Sequence, residues 1–296
     1  MSMAMNKYLI FFVLLFCYGC TSNPFWEDRP SKKINIQGYI NTQSNVFDVP
    51  AFVFVEDLNI SSFTDTSGFF SIDFPSLEME DGAFSGAVKV YYYIHNYKLA
   101  HSTLYITNGR LTSEQIDFDE NGILINTISL KELASLDLSI DNIWDRTNGD
   151  TLKLSLTITS KNHPFSYFSY VDIQSNPRQN ISSGILLKSK MNQAVYYDKN
   201  NTDFLQKTDI SFNETKVLEF KVAPNGFFPF IIDDYILLDQ QLVQSGEHEI
   251  LPYIHIIQDD IPDELFGSLG IQNVAIIGES FLKMPIETMK ETLLIQ

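Results

Sequence analysis

The sequence predicts an all-β protein: two tandem β-sandwich domains following an export leader. Three observations predict it. From Ile34 onward apolar and polar residues alternate with period two, and turn residues recur at short spacing, the mark of sandwiches or barrels. The first twenty residues carry a secretory leader that ends on a cysteine. No cysteine follows Cys20, so an exported chain that meets disulfide-permissive conditions has no bridge to staple it. Its stability must come from buried apolar cores, which residues 20–296 are long enough to supply as two domains.

The leader occupies residues 1–19. Lys7 is a lone positive charge, and Tyr8-Leu9-Ile10-Phe11-Phe12-Val13-Leu14-Leu15-Phe16 is the apolar run behind it. That run is too short for about 30 Å of hydrocarbon, which takes about 20 apolar residues, so it reads as a cleaved signal. Gly19-Cys20 resembles the lipobox of bacterial lipoproteins, in which a small residue precedes the cysteine that becomes residue one. Cys17 and Tyr18 depart from that pattern, at positions where Leu and a smaller residue are usual. The resemblance implies cleavage before Cys20, lipid on its sulfur, and a stable anchor from the several acyl chains of a diacylglyceryl cysteine. Residues 20–33, with Pro24, Pro30 and Lys32-Lys33, are then a lipidated tether; Phe25 and Trp26 are its apolar exceptions.

Residues 34–131 form the first unit. Ile34 to Ile40 alternates as a strand. Pro50-Ala51-Phe52-Val53-Phe54-Val55-Glu56 is a second, with proline at its first position, where no ladder N–H is lost. Thr64-Asp65-Thr66-Ser67-Gly68 is a turn, and Phe69 to Pro75 the strand after it. Ala87 to Ile94 and Thr103 to Thr107 continue the series, and Ile116-Asp117-Phe118 and Ile123 to Ile128 flank Asn121-Gly122, a strong hairpin signal. The run Ile36-x-Gly38, Pro50-Ala51-x-Val53-x-Val55 and Thr64-Asp65-x-x-Gly68-x-Phe70-x-Ile72 resembles the carboxypeptidase regulatory-like domain. That resemblance implies a transthyretin-like β-sandwich in a cell-envelope setting, and an accessory role without catalysis.

Residues 132–258 form a second β-rich unit. Leu136 to Ile140 and Leu152 to Ile158 alternate around Asn148-Gly149-Asp150, and later strands are expected at 184–187, 217–222 and 249–256. The layout is similar to immunoglobulin-like sandwiches. The tail, 259–296, is read as an extension packed on this second domain. It holds a short helix at 260–267 capped by Asp260, a strand at 271–277, and a segment at 286–294 that suits either helix or strand.

Charge and motifs then bound the chemistry. Lys and Arg number 20 against 37 Asp and Glu, a net of −17, and loss of Lys7 with the leader makes it one unit more negative. That field repels phosphate backbones, so nucleic acid is excluded as a partner. Asp117-Phe118-Asp119-Glu120-Asn121-Gly122 spaces oxygens as a calcium loop does. Ile128 stands where the bidentate carboxylate belongs, so Asp117, Asp119 and Asn121 are weak calcium candidates and a structural turn is expected. The acidic groups Asp233-Asp234 and Asp259, Asp260, Asp263, Glu264 read as solvated faces. His95, His101, His163, His248 and His255 lack metal spacing, and His95 and His101 are expected to pack or sit at the surface. Gly278-Glu279-Ser280 lacks the second glycine of a nucleophile elbow, and Ser280-x-x-Lys283 stands without companion motifs. Asp150-Thr151-Leu152 is a three-residue match to an O-glycosylation signal. No metal or other cofactor is expected.

Aromatics are the remaining candidates: Tyr91, Tyr92, Tyr93, Tyr97 and Tyr105 would put rings on both faces of neighbouring strands, where exposed rings could hold a ligand. The expectation is a non-enzymatic envelope lipoprotein, anchored to the outer membrane, serving as a scaffold, adhesin or accessory subunit with a protein or glycan partner. The alternative is a carbohydrate- or peptide-binding module using the tyrosine faces. A weaker one is a hydrolase with an unrecognised site in 132–296.

Overall fold

The computed structural model describes residues 34–42, 49–75, 78–79, 82–140, 143–144, 151–160, 165–171, 185–197, 216–222, 230–237, 244–252, 254–271, 279–287 and 291–296. The chain divides into two units, Met1–Lys33 and Ile34–Gln296, and every described residue belongs to the second. That unit is mostly β, in several sheets, with little helix. The boundary expected between Lys131 and Glu132 falls inside it.

Its first half runs β1 (Asn35–Thr42), β2 (Phe52–Val55), β3 (Ile60–Phe63), β4 (Phe69–Asp73), β5 (Glu78–Met79), β6 (Gly82–Ala83), β7 (Gly86–Tyr93), β8 (Ala100–Thr107), β9 (Arg110–Leu111) and β10 (Ile128–Leu130). A five-stranded sheet, β3-β2-β7-β8-β9, faces the three-stranded β10-β1-β4 across one apolar core. The alternation read in the sequence is what fills it. Ile36 and Ile40 of β1, Val53 and Val55 of β2, Phe70 and Ile72 of β4, Val88, Val90 and Tyr92 of β7, and Leu104 and Ile106 of β8 point inward. Gly38 is small because a Cβ there would stand 2.5 Å from the Cβ of Leu124, which crosses β1 at that point.

Two aspartate turns set the register. Asp65 accepts from the Ser67 hydroxyl, the Ser67 amide and the Phe69 amide at 2.6, 2.8 and 3.0 Å, and these bonds, the hydroxyl's foremost, lower its pKa. Asp119 likewise takes the amides of Ile123 and Asn121 at 2.8 and 2.9 Å. The Asn121-Gly122 turn therefore exists, but its hairpin is reduced to one bridge, Phe118 to Leu124. Ile123 instead bridges Gln37 in parallel, and β10 also runs parallel to β1. The chain after the turn is recruited by β1 because Leu124 and Leu130 bury more area in that core than a solvent-exposed ribbon could.

The second half runs β11 (Ala134–Ile140), β12 (Ile143–Trp144), β13 (Thr151–Ser160), β14 (Phe165–Val171), β15 (Ile185–Ser189), β16 (Val195–Tyr197), β17 (Lys216–Val222), β18 (Phe230–Leu237), β19 (Gly246–Pro252) and β20 (His255–Ile257). A helix α1 (Asp263–Ser268), a 3-10 segment (Glu279–Lys283) and β21 (Glu291–Ile295) close the chain. The sheets are β11-β13-β18, β17-β14-β20 and the five-stranded β12-β21-β19-β15-β16. A second core joins Leu136 and Leu138, Leu156 and Ile158, Leu187, Ile250, Ile256, Leu293 and Ile295.

Toward the C-terminus one open expectation is decided and two others are departed from. Of the segment 286–294, left open between helix and strand, residues from Glu291 onward are strand: β21 lies between β12 and β19, and Leu293 and Ile295 reach the core. The helix begins at Asp263 with Pro262 as its N-cap and no side-chain cap bond, so Asp260 does not cap it. Pro pre-sets extended backbone there, and Asp263 and Glu264 supply first-turn acid instead. The expected strand at 249–256 is two, β19 and β20, broken after Pro252. The region 272–278, where a strand was expected, lies outside the described residues.

The tail also builds a third core. Phe52 and Phe54 of β2 and Tyr91 and Tyr93 of β7 turn to the outer face of the first sheet, and Leu265, Leu269, Ile271, Phe281 and Met284 cover them. The extension expected on residues 132–258 thus contributes β21 to a sheet there and lays its helical part on β2 and β7.

A candidate binding groove beside the edge strand

The tyrosines singled out from the sequence are packed, not presented. Tyr91, Tyr92, Tyr93 and Tyr97 are buried and Tyr105 is half-buried. Tyr92 belongs to the first core; Tyr91 and Tyr93 lie under the tail, which makes both faces of β7 interior. Burial raises the pKa of Tyr92, Tyr93 and Tyr97, so these phenols stay neutral. A ligand face built on these rings is therefore not what the fold provides. The alternation placed rings on both sides of the strand correctly; that a third core would cover the outer side has no local signal.

The calcium candidates do not converge either. Asp117 accepts the Thr103 amide at 2.7 Å, while Asp119 is held below its ordinary value by the Ile123 and Asn121 amides of its own turn. Among the described residues no three His, Cys, Asp or Glu side chains group as a metal site. Cys20, His163 and Asn148 to Asp150 lie outside the described residues, as do the side chains of Asp233 and Asp234.

The histidines divide. His101 is exposed on β8, its ring 5.9 Å from that of Tyr91. His95 is fully buried and stacks on His255 at 5.2 Å. His95 Nε2 lies 2.9 Å from the Ile256 amide and 3.0 Å from the Ile254 carbonyl oxygen, and its Nδ1 lies 2.6 Å from Tyr93 Oη. Tyr93 then donates to Met284 Sδ at 3.4 Å. Burial, with the neighbouring His255 second, drives the His95 pKa down to about 3; burial drives His255 to about 4. Perturbed groups of this kind often mark active sites. Neither ring lines the groove described next, and His95 bonds to Ile254, Ile256 and Tyr93, so the pair joins the end of β7 to β20.

What the fold does open is a groove of about 530 Å³ at the edge of the first sheet. Its floor is Phe52 and Phe63, whose rings lie 5.0 Å apart, and its far wall is Leu269, Leu282, Lys283, Met284 and Pro285. Ser61 Oγ and Ser268 Oγ, 3.0 Å apart, tie the two walls. Phe63 is 48% exposed, although it is a large apolar side chain. Lys283 lies over Gly270, which has φ +73°; a Cβ there would meet its ammonium at 2.8 Å, so glycine serves both the backbone turn and the lysine's position. Among the described residues no carboxylate pairs with Lys283, while the comparable Lys190 does pair, with Glu247 at 3.5 Å.

Sequence reasoning missed this groove. Ile60-Ser61-Ser62-Phe63 is four residues without clean alternation, and in the sequence Lys283 stands out only as the end of a Ser-x-x-Lys match. No local pattern brings residues 49–63 beside 268–285.

No family model matches the sequence, and no curated protein matches it. Among solved structures the chain is similar to a DUF3823 family protein from Bacteroides ovatus ATCC 8483, at 13% identity and a TM-score of 0.29, covering 77% of this chain and 92% of that one. It is also similar to the full-length major pilin SpaD from Corynebacterium diphtheriae, at 8% identity and a TM-score of 0.29, over 74% of this chain and 60% of the pilin. A Salmonella alpha-2-macroglobulin aligns at 10% identity and a TM-score of 0.21, over 77% of this chain and 14% of that one. None of these likenesses bears on function.

Proposed function

We propose that this chain is a non-enzymatic binding protein of the cell envelope, lipid-anchored at Cys20 in the outer membrane, that takes a partner in the groove between β2–β3 and the tail. The observation that carries the binding role is the groove itself: an apolar floor with an exposed Phe63, hydroxyls at Ser61 and Ser268, and the Lys283 cation, which no carboxylate pairs among the described residues. Ligand sites are concave and mainly apolar, with a few placed polar groups, and this is such a place. The leader and Gly19-Cys20 support export and lipidation, and the Ile36-x-Gly38 to Ile72 run supports a transthyretin-like first sandwich, with an immunoglobulin-like second.

Two measurements test the anchor and the role. Cys20→Ser should abolish incorporation of labelled palmitate and move the protein from membranes to soluble or uncleaved material; labelling that persists on the variant refutes the anchor. Turnover of any substrate by purified mature protein in a broad hydrolase screen would overturn the non-enzymatic reading and revive a site in 132–296.

A second reading, glycan binding, now rests on different rings. Tyr39 is 53% exposed on the outer face of β1 and sits 5.2 Å from the Phe69 ring, beside Asn35, Ser71 and Asp73, which are joined by hydrogen bonds of 2.7–2.9 Å. Retention on neutral polysaccharides that is lost in Tyr39→Ala would favour it.

A further inference from the structure

We infer that the groove's occupant is an extended peptide of a partner protein, which adds a strand to the free edge of β3 and sets a carboxylate on Lys283. This rests on the groove being the binding site, and it names the ligand and its mode.

The backbone fixes which groups the edge offers. Glu56 N–H donates to Lys89 C=O at 2.9 Å, in register with β2–β7, where Phe54 faces Tyr91 and Phe52 faces Tyr93. Bonded pairs alternate in an antiparallel ladder, so Phe52 and Phe54 bond toward β7, and Ala51, Val53 and Val55 bond toward β3. Thr64 N–H to Ala51 C=O at 2.9 Å independently sets the same phase on the other side. With Ser62 opposite Val53 and Ile60 opposite Val55, those two residues spend their backbone groups on β2. Ser61 and Phe63 therefore aim both N–H and C=O away from the sheet. Among the described residues the Ser61 N–H and C=O and the Phe63 N–H have no partner, and the Phe63 C=O takes only the Ser62 hydroxyl at 3.2 Å, in the two-residue spacing an incoming strand requires.

This edge is also unguarded. Native sheets blunt their edges with lysine, proline, bulges or a covering element. Ile60-Ser61-Ser62-Phe63 contains no charge or proline, and among the described residues no strand pairs beyond it. The side chains of Ser61 and Phe63 share the outer face with Phe54 and Phe52, which is the face that opens into the groove. Alternate side chains of an added strand would thus descend onto Phe52, Phe63, Leu269 and Leu282. Charge selects the end group. The protein is net −17 and repels anions at large, yet this groove holds a lysine without a carboxylate among the described residues, so an acidic side chain or a chain terminus supplies its complement.

The test uses the mature chain released from its anchor by Cys20→Ser, immobilised and exposed to a pool of random octapeptides with free C-termini, with retained species identified by mass spectrometry. Apolar alternating peptides should be retained, and a selected peptide should lose affinity about tenfold on removal of its carboxylate by amidation or Asn/Gln substitution. Lys283→Gln should erase that difference. Ser61→Pro should abolish retention while thermal stability holds, because its N–H makes no ladder bond and proline is tolerated at such an edge position. Ser61→Ala should retain binding. Should Ser61→Pro bind as the parent does, or should the selected peptide, N-methylated at alternate residues in either phase, bind undiminished, strand addition is wrong. If no peptide is retained but laurate binds and Phe63→Asp abolishes it, the groove stands and its peptide occupant falls. Should neither probe bind, both readings fall.

Discussion

Asn96 makes three side-chain hydrogen bonds that no neighbour in sequence could make. Its amide nitrogen donates to Ala134 C=O at 3.0 Å and Glu287 C=O at 2.9 Å, and its oxygen accepts the Glu287 amide at 2.9 Å. It joins the loop after β7 to β11 and to the tail, and it is buried. Around it, His95 N–H donates to Pro285 C=O, Gln258 donates to Tyr97 C=O, and Tyr97 Oη donates to Glu287. Asn96→Ala should therefore cost roughly 2–4 kcal/mol in urea unfolding, because it strands buried partners as well as removing bonds. Gly122 is the other sensitive residue: its φ is +84°, and a Cβ would stand 2.2 Å from the Asn35 carbonyl oxygen. Gly122→Ala should cost on the order of 3 kcal/mol from left-handed strain plus overlap, read as a lower urea midpoint. Asn121→Ala, at a residue whose backbone is not so confined, should cost much less.

At the scale of elements, legibility followed length and period. β1, β7, β11 and β13 are long and alternate, so their sequences announce them. β3 is four residues with the pattern half-buried, exposed, half-buried, exposed, and exists because β2 holds it in register. β21 could not be told from a helix because Glu291-Thr292-Leu293-Leu294-Ile295 mixes both propensities; pairing with β12 and β19 decides it. That strand is integral to its sheet. Leu293 is fully buried in the second core, so Leu293→Ala should lose about 3 kcal/mol by the same denaturation measurement. A loss below 1 kcal/mol would mean the strand is an addition to a sheet that stands without it.

At the scale of the molecule, the buried histidine pair makes stability depend on pH. Both folded pKa values lie below the ordinary 6.5, at about 3 for His95 and about 4 for His255. Above pH 6.5 neither state is charged, and the pair contributes no pH dependence. Below it the unfolded chain binds protons that the folded pair refuses. Stability then falls by about 1.4 kcal/mol per pH unit for each proton refused, until the folded values are reached. The described groups facing the pair add no charge in this window: Tyr93 stays neutral, and Phe266, Phe281 and Met284 are uncharged. Urea midpoints measured from pH 7 to 4 should fall accordingly, and His255→Gln should make the decline shallower. An unchanged slope in that variant would place the acid sensitivity elsewhere.

The sequence by itself determined that this chain is β-rich, where its long strands lie and which of their faces turn inward, because period-two burial is a local property of extended backbone. It also supplied the pattern from Lys7 to Cys20 on which the anchor proposal rests. Tertiary structure alone decided the rest. It put the tail on the outer face of β2 and β7, which turned Tyr91 and Tyr93 from a presumed surface into core. It paired His95 with His255 from 160 residues away, and it set β3, with no strand beyond it among the described residues, beside Lys283. Each of these depends on which apolar faces meet after the strands have formed. That choice is made by total buried area and by the pairing of buried polar groups, and neither is written in any short window of residues.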